Sequence, residues 1–125
     1  MREITGGAGA RIIFDPIAGS LLDQLADAAA PGATILQYGA LSGEPTPFPL
    51  IPALQNGLTI RGYWLWETVK NPEMFARAKS YVYERVKHRD FKPKIAKTFR
   101  FEDVAEAYRY MESNEHTGKI VLTVD

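Results

Sequence analysis

Short apolar runs alternate with helical periodicity over the first part of the chain. Three runs are predicted to be buried strands, because apolar and branched residues dominate them and turn-forming residues flank them: residues 11–15 (RIIFD), 33–38 (ATILQY) and 58–63 (LTIRGY). Leucines and alanines recur at helical spacing over residues 21–29, ahead of Pro31-Gly32, a pair that stops a helix and turns the chain. Strands alternating with helices predict crossover connections and a parallel sheet of the α/β class.

Two more helices are predicted around the third strand. Residues 44–52 carry four prolines and are interpreted as a packed loop leading into a short helix capped near Gly57. Asn71-Pro72-Glu73 supplies a cap, a first-turn proline and an early acid for a longer helix. The apolar positions of that helix follow at spacings of three and four residues: Phe75, Ala78, Val82 and Val86.

The pattern changes after Pro93. Residues 95–99 are predicted to form a short strand, residues 104–111 a helix with one apolar face, and residues 119–124 (KIVLTV) a final strand. These elements do not continue the earlier alternation at the same spacing. We therefore predict an α/β part over residues 1–92 and an α+β tail over residues 93–125.

Composition narrows the function classes. With 46% hydrophobic and 24% charged residues in a chain of 125, the protein is predicted to be an ordinary globular one. Its 15 basic and 15 acidic residues cancel, so no general field attracts a nucleic acid or an anionic membrane. The sequence shows neither a signal peptide nor an apolar run of membrane-spanning length, so a cytoplasmic location is expected.

The loops after the predicted strands are the candidate ligand-binding segments, since ligands of open α/β sheets bind beyond the carboxyl ends of the strands. Gly6-Gly7-Ala8-Gly9 precedes the first strand and is interpreted as a turn. Asp15 either contacts a ligand or caps the following helix. Gly39 either allows close approach of a ring or ribose or simply forms a tight turn. The tryptophans Trp64 and Trp66 lie on one face if their strand continues, and core or subunit contacts are favoured over nucleobase stacking.

No constellation for covalent, acid–base or metal chemistry is found in the sequence. Cysteine is absent, which excludes thiol nucleophiles and cysteine-ligated zinc within these residues. His88 and His116 have no acid or thiol at a ligand spacing and are interpreted as surface histidines. The basic stretch over residues 87–100 is interpreted as a solvated helix end. We therefore predict no catalytic residue and no metal ligand in this chain.

Three segments together carry a family resemblance. The strand end FDPIAG, the loop YGALSG and a Glu-Ala helix followed by Gly118-Lys119-Ile120-Val121 occur in the order typical of one superfamily. The chain resembles the medium-chain dehydrogenase/reductase superfamily over essentially its whole length, and is most similar to quinone oxidoreductases and zinc-type alcohol dehydrogenases. The resemblance implies that residues 1–92 are the second half of a Rossmann domain that binds NAD or NADP. Residues 93–125 would be the tail that returns to the catalytic domain.

The resemblance also implies a site. Nine residues would border the nicotinamide half of the cofactor and one lysine its phosphates: Asp15, Pro16, Ile17, Tyr38, Gly39, Ala40, Leu41, Trp64, Leu65 and Lys119. The pyrophosphate-binding glycines, the residue that selects NAD or NADP, any zinc ligands and the substrate-handling residues are expected upstream of Met1. The full-length enzyme would transfer hydride between NAD(P)H and a small carbonyl, quinone or activated alkene, and the isolated chain would be inactive.

The alternative function is a non-catalytic assembly or dimerisation module. Half of a Rossmann sheet leaves strand edges exposed, and an apolar edge strand invites pairing with another chain. A homo-oligomer formed through the exposed sheet edges is therefore expected.

Overall fold

The computed structural model describes residues 3–124. The chain divides into two compact units, Met1–Phe75 and Ala76–Asp125. The first unit holds β1 (Ala10–Asp15), α1 (Leu21–Asp27), β2 (Ala29–Gln37), α2 (Leu50–Asn56), β3 (Thr59–Gly62) and α3 (Leu65–Val69). Helix α4 (Pro72–Lys87) crosses the division, and the second unit continues with β4 (Ile95–Arg100), a 3₁₀ turn (Phe101–Asp103), α5 (Val104–Glu112) and β5 (Lys119–Thr123).

The first unit is built on a parallel sheet in the order β1-β2-β3. Ile13, Ile35 and Ile60 lie in register across the three strands. Helix α1 covers this face of the sheet, and its buried Leu22 and Ala26 join Ile13 and Ile35 in one apolar core. The predicted α/β class and parallel sheet are confirmed.

The junction between α1 and β2 differs from the sequence prediction. The helix ends at Asp27, and Ala29 belongs to β2, where it is buried. Pro31 and Gly32 lie within β2 rather than in a turn between elements, at a shift of register against β1. Both are exposed, and an irregularity of this kind accommodates a proline that cannot donate to the ladder. The strand is therefore longer than its apolar run indicates.

The segment after β3 also differs. The strand ends at Gly62, and Leu65 begins the short helix α3, so Trp64 and Trp66 do not continue a strand. The backbone N–H of Trp64 donates to Glu67 Oε1 at 3.3 Å, which ties the start of the helix to its first turn. Glu67, an acid in the first turn, is the sequence feature that indicates this helix, although the apolar residues around it suggest a continued strand.

Helix α4 forms as predicted, with Asn71 Oδ1 accepting from the Met74 N–H at 3.0 Å. Its predicted apolar face is not buried. Phe75, Val82 and Val86 are 37%, 49% and 47% exposed, and none of the residues of α4, all of which are described, is buried. Periodicity thus predicts the helix and its apolar face but not a partner that covers it.

The second unit has a sheet of its own, in which β4 and β5 run parallel. Phe99 on β4 and Ala107 on α5 are buried. The predicted strands and helix of the tail are confirmed. The two compact units divide after Phe75. The predicted boundary at residue 92 separates a Rossmann part from a catalytic-domain tail of a longer enzyme, and it stays a prediction. Within residues 3–124, no helix is long and apolar enough to cross a membrane.

Candidate functional site

The loops that follow β1, β2 and β3 lie side by side at one edge of the first unit. The Tyr38 N–H donates to the Asp15 carbonyl at 3.0 Å, and the Tyr63 N–H donates to the Gln37 carbonyl at 2.9 Å. Because the strands are parallel, their carboxyl ends meet at this edge, where ligands of open α/β sheets bind. The structure therefore brings together the three segments that the sequence singled out in this unit.

The first two loops are joined by backbone hydrogen bonds. Leu41 N–H donates to the Pro16 carbonyl at 3.1 Å, and Ser42 N–H donates to the Ile17 carbonyl at 2.9 Å. Gly39 makes this contact possible, since a Cβ at that position would lie 2.5 Å from the Pro16 carbonyl oxygen. Gly39 thus allows one loop to approach another, and the close approach of a ring or ribose to Gly39 stays a prediction.

Asp15 is a supporting residue of the first loop. Its side chain is 1% exposed, and Oδ1 accepts from the N–H groups of Ile17 at 2.7 Å and Ala18 at 3.1 Å. These bonds hold Ala18 in the left-handed region, at φ 64°. The interpretation of Asp15 as a cap of the following helix is wrong, because α1 begins at Leu21 after Ser20 with no side-chain cap hydrogen bond. A direct contact of Asp15 with a ligand stays a prediction. Oδ2 is buried without a hydrogen-bond partner among residues 3–124.

Gln37 is a site residue that the sequence did not reveal. Its Nε2 donates to the Asp15 carbonyl at 3.1 Å and to the Gly39 carbonyl at 2.7 Å. It thereby fixes the end of β2 to the first loop. The only signal in the sequence is a polar residue at the last position of an otherwise apolar strand.

The surface of this edge is apolar. We call Ile17, Tyr38, Leu41, Trp64 and Leu65 the strand-end surface; their exposed fractions are 36%, 49%, 76%, 66% and 63%. Pro16, which is partly buried, and the exposed Ala40 lie in the same loops. A binding site for a flat organic ring is lined mainly by such side chains, with a few polar groups for orientation. The strand-end surface therefore suits one side of a ring-binding site.

The tryptophans extend this surface on α3. The rings of Trp64 and Trp66 meet edge to face, with centroids 6.2 Å apart. They line an open groove of about 510 Å³ with Glu67, Lys70, Asn71 and Pro72. Because Trp64 and Trp66 are 66% and 47% exposed, they are not core residues of this unit, and the alternative that they make subunit contacts stays a prediction.

Three amides of the loop between β1 and α1 are already satisfied by side chains. Ile17 and Ala18 donate to Asp15 Oδ1, and Gly19 donates to Thr46 Oγ1 at 2.9 Å. A phosphate-binding loop needs such amides free to point at the anion. The amides of Ile17, Ala18 and Gly19 are therefore not available to an anion.

Lys119, the predicted phosphate contact, begins β5 in the second unit. Its side chain is exposed, and its backbone N–H donates to the Lys94 carbonyl at 2.7 Å. Gly118 precedes it at φ 121° and passes close to the same carbonyl. The role of Lys119 near a cofactor stays a prediction.

The histidines and acids show no metal site within the described residues. No group of three or more His, Cys, Asp or Glu among residues 3–124 is arranged to hold a metal ion. His88 is exposed, as predicted, but the expectation of no acid at a ligand spacing from it is wrong, because its Nε2 lies 3.4 Å from Oε2 of Glu84 one turn earlier on the same helix. His116, predicted at the surface, is half-buried with its ring 5.7 Å from that of Tyr110. Zinc therefore has no fitting ligand set in this part of the chain.

The sequence matches one protein family and resembles proteins of known sequence over nearly its whole length. The sequence profile of a family described as zinc-binding dehydrogenase matches residues 1–122. A 2-haloacrylate reductase from Burkholderia sp. is 30% identical over 124 residues, which are 98% of this chain and 37% of that protein. The chain thus spans little more than a third of that relative.

Solved structures share the fold. An NAD-dependent alcohol dehydrogenase superimposes with a TM-score of 0.80 at 27% identity, over 99% of this chain and 34% of the other. A mycobacterial protein in complex with NADPH superimposes with a TM-score of 0.84 over 98% of this chain and 38% of the other, at 19% identity, which supports the fold alone.

Proposed function

Because the chain belongs to the zinc-binding dehydrogenase family, we propose that it forms the nicotinamide-facing wall of an NAD(P)-binding site in an oxidoreductase. The observation that carries this proposal is the strand-end surface, an exposed apolar patch at the carboxyl ends of a parallel sheet. A solved structure with the same fold binds NADPH, and another is an NAD-dependent alcohol dehydrogenase. Both cofactors share the nicotinamide ring that this surface would face.

The cofactor supplies the hydride when it is bound, and the residues of this chain position it. Ile17, Leu41 and Trp64 would cover one side of the ring and keep water from it, since all three are apolar and exposed at the strand ends. Asp15 and Gln37 fix the loops through hydrogen bonds to the backbone: Asp15 Oδ1 accepts from the Ile17 N–H, and Gln37 Nε2 donates to the Asp15 carbonyl. The substrate of the longer enzyme would be a small carbonyl, quinone or activated alkene.

The described residues lack a pyrophosphate-binding loop. Gly6, Gly7 and Gly9 precede β1, and the loop amides of Ile17, Ala18 and Gly19 are taken up by Asp15 and Thr46. Amides at a helix amino terminus are a main source of affinity for dinucleotides. We therefore expect the 125-residue chain to bind NADPH only weakly and to have no turnover.

Zinc plays no part in this proposal. The family description includes zinc, but residues 3–124 contain no fitting ligand group. No step of the reaction is assigned to a metal held by these residues.

The proposal is tested by the affinity of two leucine variants for NADPH. Leu41 lies in the strand-end surface at 76% exposure, and Leu54 lies outside it on α2 at 72% exposure. Leu41→Ala is expected to weaken NADPH binding about threefold to tenfold, because it removes apolar surface that would cover the ring, at ~0.8 kcal/mol per methylene buried. Leu54→Ala, matched in exposure and chemistry, should leave the dissociation constant unchanged.

Titration of the 125-residue chain, followed by backbone amide chemical shifts, measures the dissociation constants of both variants and of the unaltered protein. Equal effects of the two substitutions would contradict the proposal, and so would an absence of any shift at millimolar cofactor. Micromolar binding would contradict the expectation that this chain holds only one side of the site.

A further inference from the structure

The groove beside the strand-end surface combines two aromatic side chains with ionic and polar ones. Helix α3 and the start of α4 supply the residues that line its volume of about 510 Å³: Trp64, Trp66, Glu67, Lys70, Asn71 and Pro72. All six belong to the first unit. Because Trp64 is also part of the strand-end surface, the groove continues the surface that is proposed to face the nicotinamide.

The two tryptophans offer contact surfaces for a flat organic group. Their rings stand at 76° to each other, with centroids 6.2 Å apart. An indole ring binds flat rings and conjugated chains through its face, which contributes both ring contact and buried apolar area. The aromatic part of the groove therefore favours a ligand with a flat, apolar body.

The ionic side chains of the groove leave one uncompensated positive charge. Glu67 Oε2 lies 2.9 Å from Arg61 Nη2, and Glu67 Oε1 accepts from the Trp64 N–H at 3.3 Å. Both carboxylate oxygens of Glu67 thus have partners. Lys70 has no ion-pair partner among residues 3–124. A negatively charged ligand therefore complements the groove better than a positively charged one.

The polar donors of the groove lie at the far end of α3 from Trp64. Trp64 precedes the helix and Lys70 follows it, a separation of about 9 Å along the helix axis at ~1.5 Å per residue. Asn71 comes next, and its Oδ1 accepts from the Met74 N–H at 3.0 Å, which leaves Nδ2 as a donor for a ligand. An ammonium group and an amide N–H are both suited to a carboxylate.

We propose that this groove binds the substrate of the longer enzyme, and that the substrate is a flat, elongated compound with a carboxylate that contacts Lys70 and Asn71. The flat body would lie against Trp64 and Trp66, with the reducible group at the Trp64 end. The inference rests on the proposed function, and it narrows the substrate class to carbonyl, quinone or alkene compounds that carry a carboxylate about 9 Å from the reducible group. Further residues of the longer enzyme would cover the substrate from the other side.

Titration of the 125-residue chain with naphthalene compounds of one shape and different charge tests the preference. The probes are 2-naphthoate, the neutral 2-naphthamide and the cationic 2-naphthylmethylammonium, each followed by the indole Nε1–H signals of Trp64 and Trp66. 2-Naphthoate is expected to bind about threefold to fivefold more tightly than 2-naphthamide, the gain of a solvent-exposed ion pair. The cationic probe should bind more weakly than both.

Substitutions separate the charge of the groove from its aromatic surface. Lys70→Gln should lower the affinity for 2-naphthoate to that for 2-naphthamide and leave 2-naphthamide unchanged. Lys92→Gln, the same change at an exposed lysine outside the groove, should alter neither affinity. Trp66→Leu should weaken both probes about threefold or more, because it removes the ring that their flat bodies contact. Circular dichroism shows whether each variant folds, and Lys70→Gln decides the question even if Trp66→Leu does not fold.

Four results would overturn the proposal. They are no response of the two tryptophans to 2-naphthoate, equal or tighter binding of an uncharged or cationic probe, a preference for 2-naphthoate that persists in Lys70→Gln, and a loss of NADPH affinity in Lys70→Gln as large as the loss for 2-naphthoate. The last result would assign Lys70 to the cofactor. The NADPH titrations of Leu41→Ala and Leu54→Ala use no naphthalene probe, so a failure of the proposed function and a failure of this inference are distinguishable.

Discussion

At the scale of single residues, the two glycines at the ends of β2 and β3 have different roles. A Cβ at Gly39 would lie 2.5 Å from the Pro16 carbonyl oxygen, whereas a Cβ at Gly62 would meet nothing within 4 Å. Neither glycine has a positive φ angle in the range that disfavours other residues. The difference between them is therefore one of packing between the two loops of the site.

This difference predicts opposite effects of the same substitution. Gly39→Ala should lower the free energy of unfolding by about 1–3 kcal/mol, because the added methyl group overpacks a backbone contact. Gly62→Ala should leave it unchanged or raise it by about 0.4–1 kcal/mol, because alanine restricts the unfolded chain. Urea unfolding of both variants measures the two values. A similar loss in both would show that the contact between Gly39 and Pro16 does not determine the stability of the site.

Residue chemistry was only partly predictable from the sequence. Asp15 could be recognised as the carboxylate at a strand end, but its two roles could not be separated, because a side chain's direction depends on the loop that follows. The loop folds back so that Ile17 and Ala18 donate to it. Gln37 was missed since its partners are backbone carbonyls of two different loops. Contacts of this kind exist only after the strands have come together.

At the scale of elements, periodicity predicted where strands and helices form better than what covers them. The sheet strands are recognisable because buried parallel strands are continuously apolar. Helix α3 was not predicted, since Trp64, Leu65 and Trp66 continue an apolar run into a helix that lacks an amphipathic pattern. Helix α4 has the pattern, yet its apolar face is half-exposed in the structure.

The exposure of α4 predicts a small effect of truncating its apolar face. Val82→Ala should change the free energy of unfolding by about 0.5 kcal/mol or less, because the side chain is 49% exposed and alanine favours a helix. Phe99→Ala, a change at a side chain 6% exposed in the same unit, should cost about 3–5 kcal/mol or prevent folding. Thermal unfolding followed by circular dichroism compares them. A loss of several kcal/mol at Val82 would mean that this face is covered in solution.

At the scale of the whole molecule, the family could be recognised from the sequence because three segments occur in a characteristic order along the entire chain. The family profile over residues 1–122 confirms that resemblance. The α/β fold followed from the same pattern. The complete site could not be predicted, because the chain spans 37% of a reductase relative, and under the proposed function it would present only some of the surfaces that a dinucleotide needs.

The two halves of the cofactor, offered separately, distinguish whether this chain faces the nicotinamide or the adenosine part. Amide chemical shifts of the 125-residue chain are followed during titration with reduced nicotinamide mononucleotide and, separately, with adenosine diphosphate. The mononucleotide is expected to shift the amides of Ile17, Leu41 and Trp64, and adenosine diphosphate to leave them unchanged. Binding of adenosine diphosphate at these residues, or no response to the mononucleotide at any concentration, would contradict the assignment of this surface to the nicotinamide.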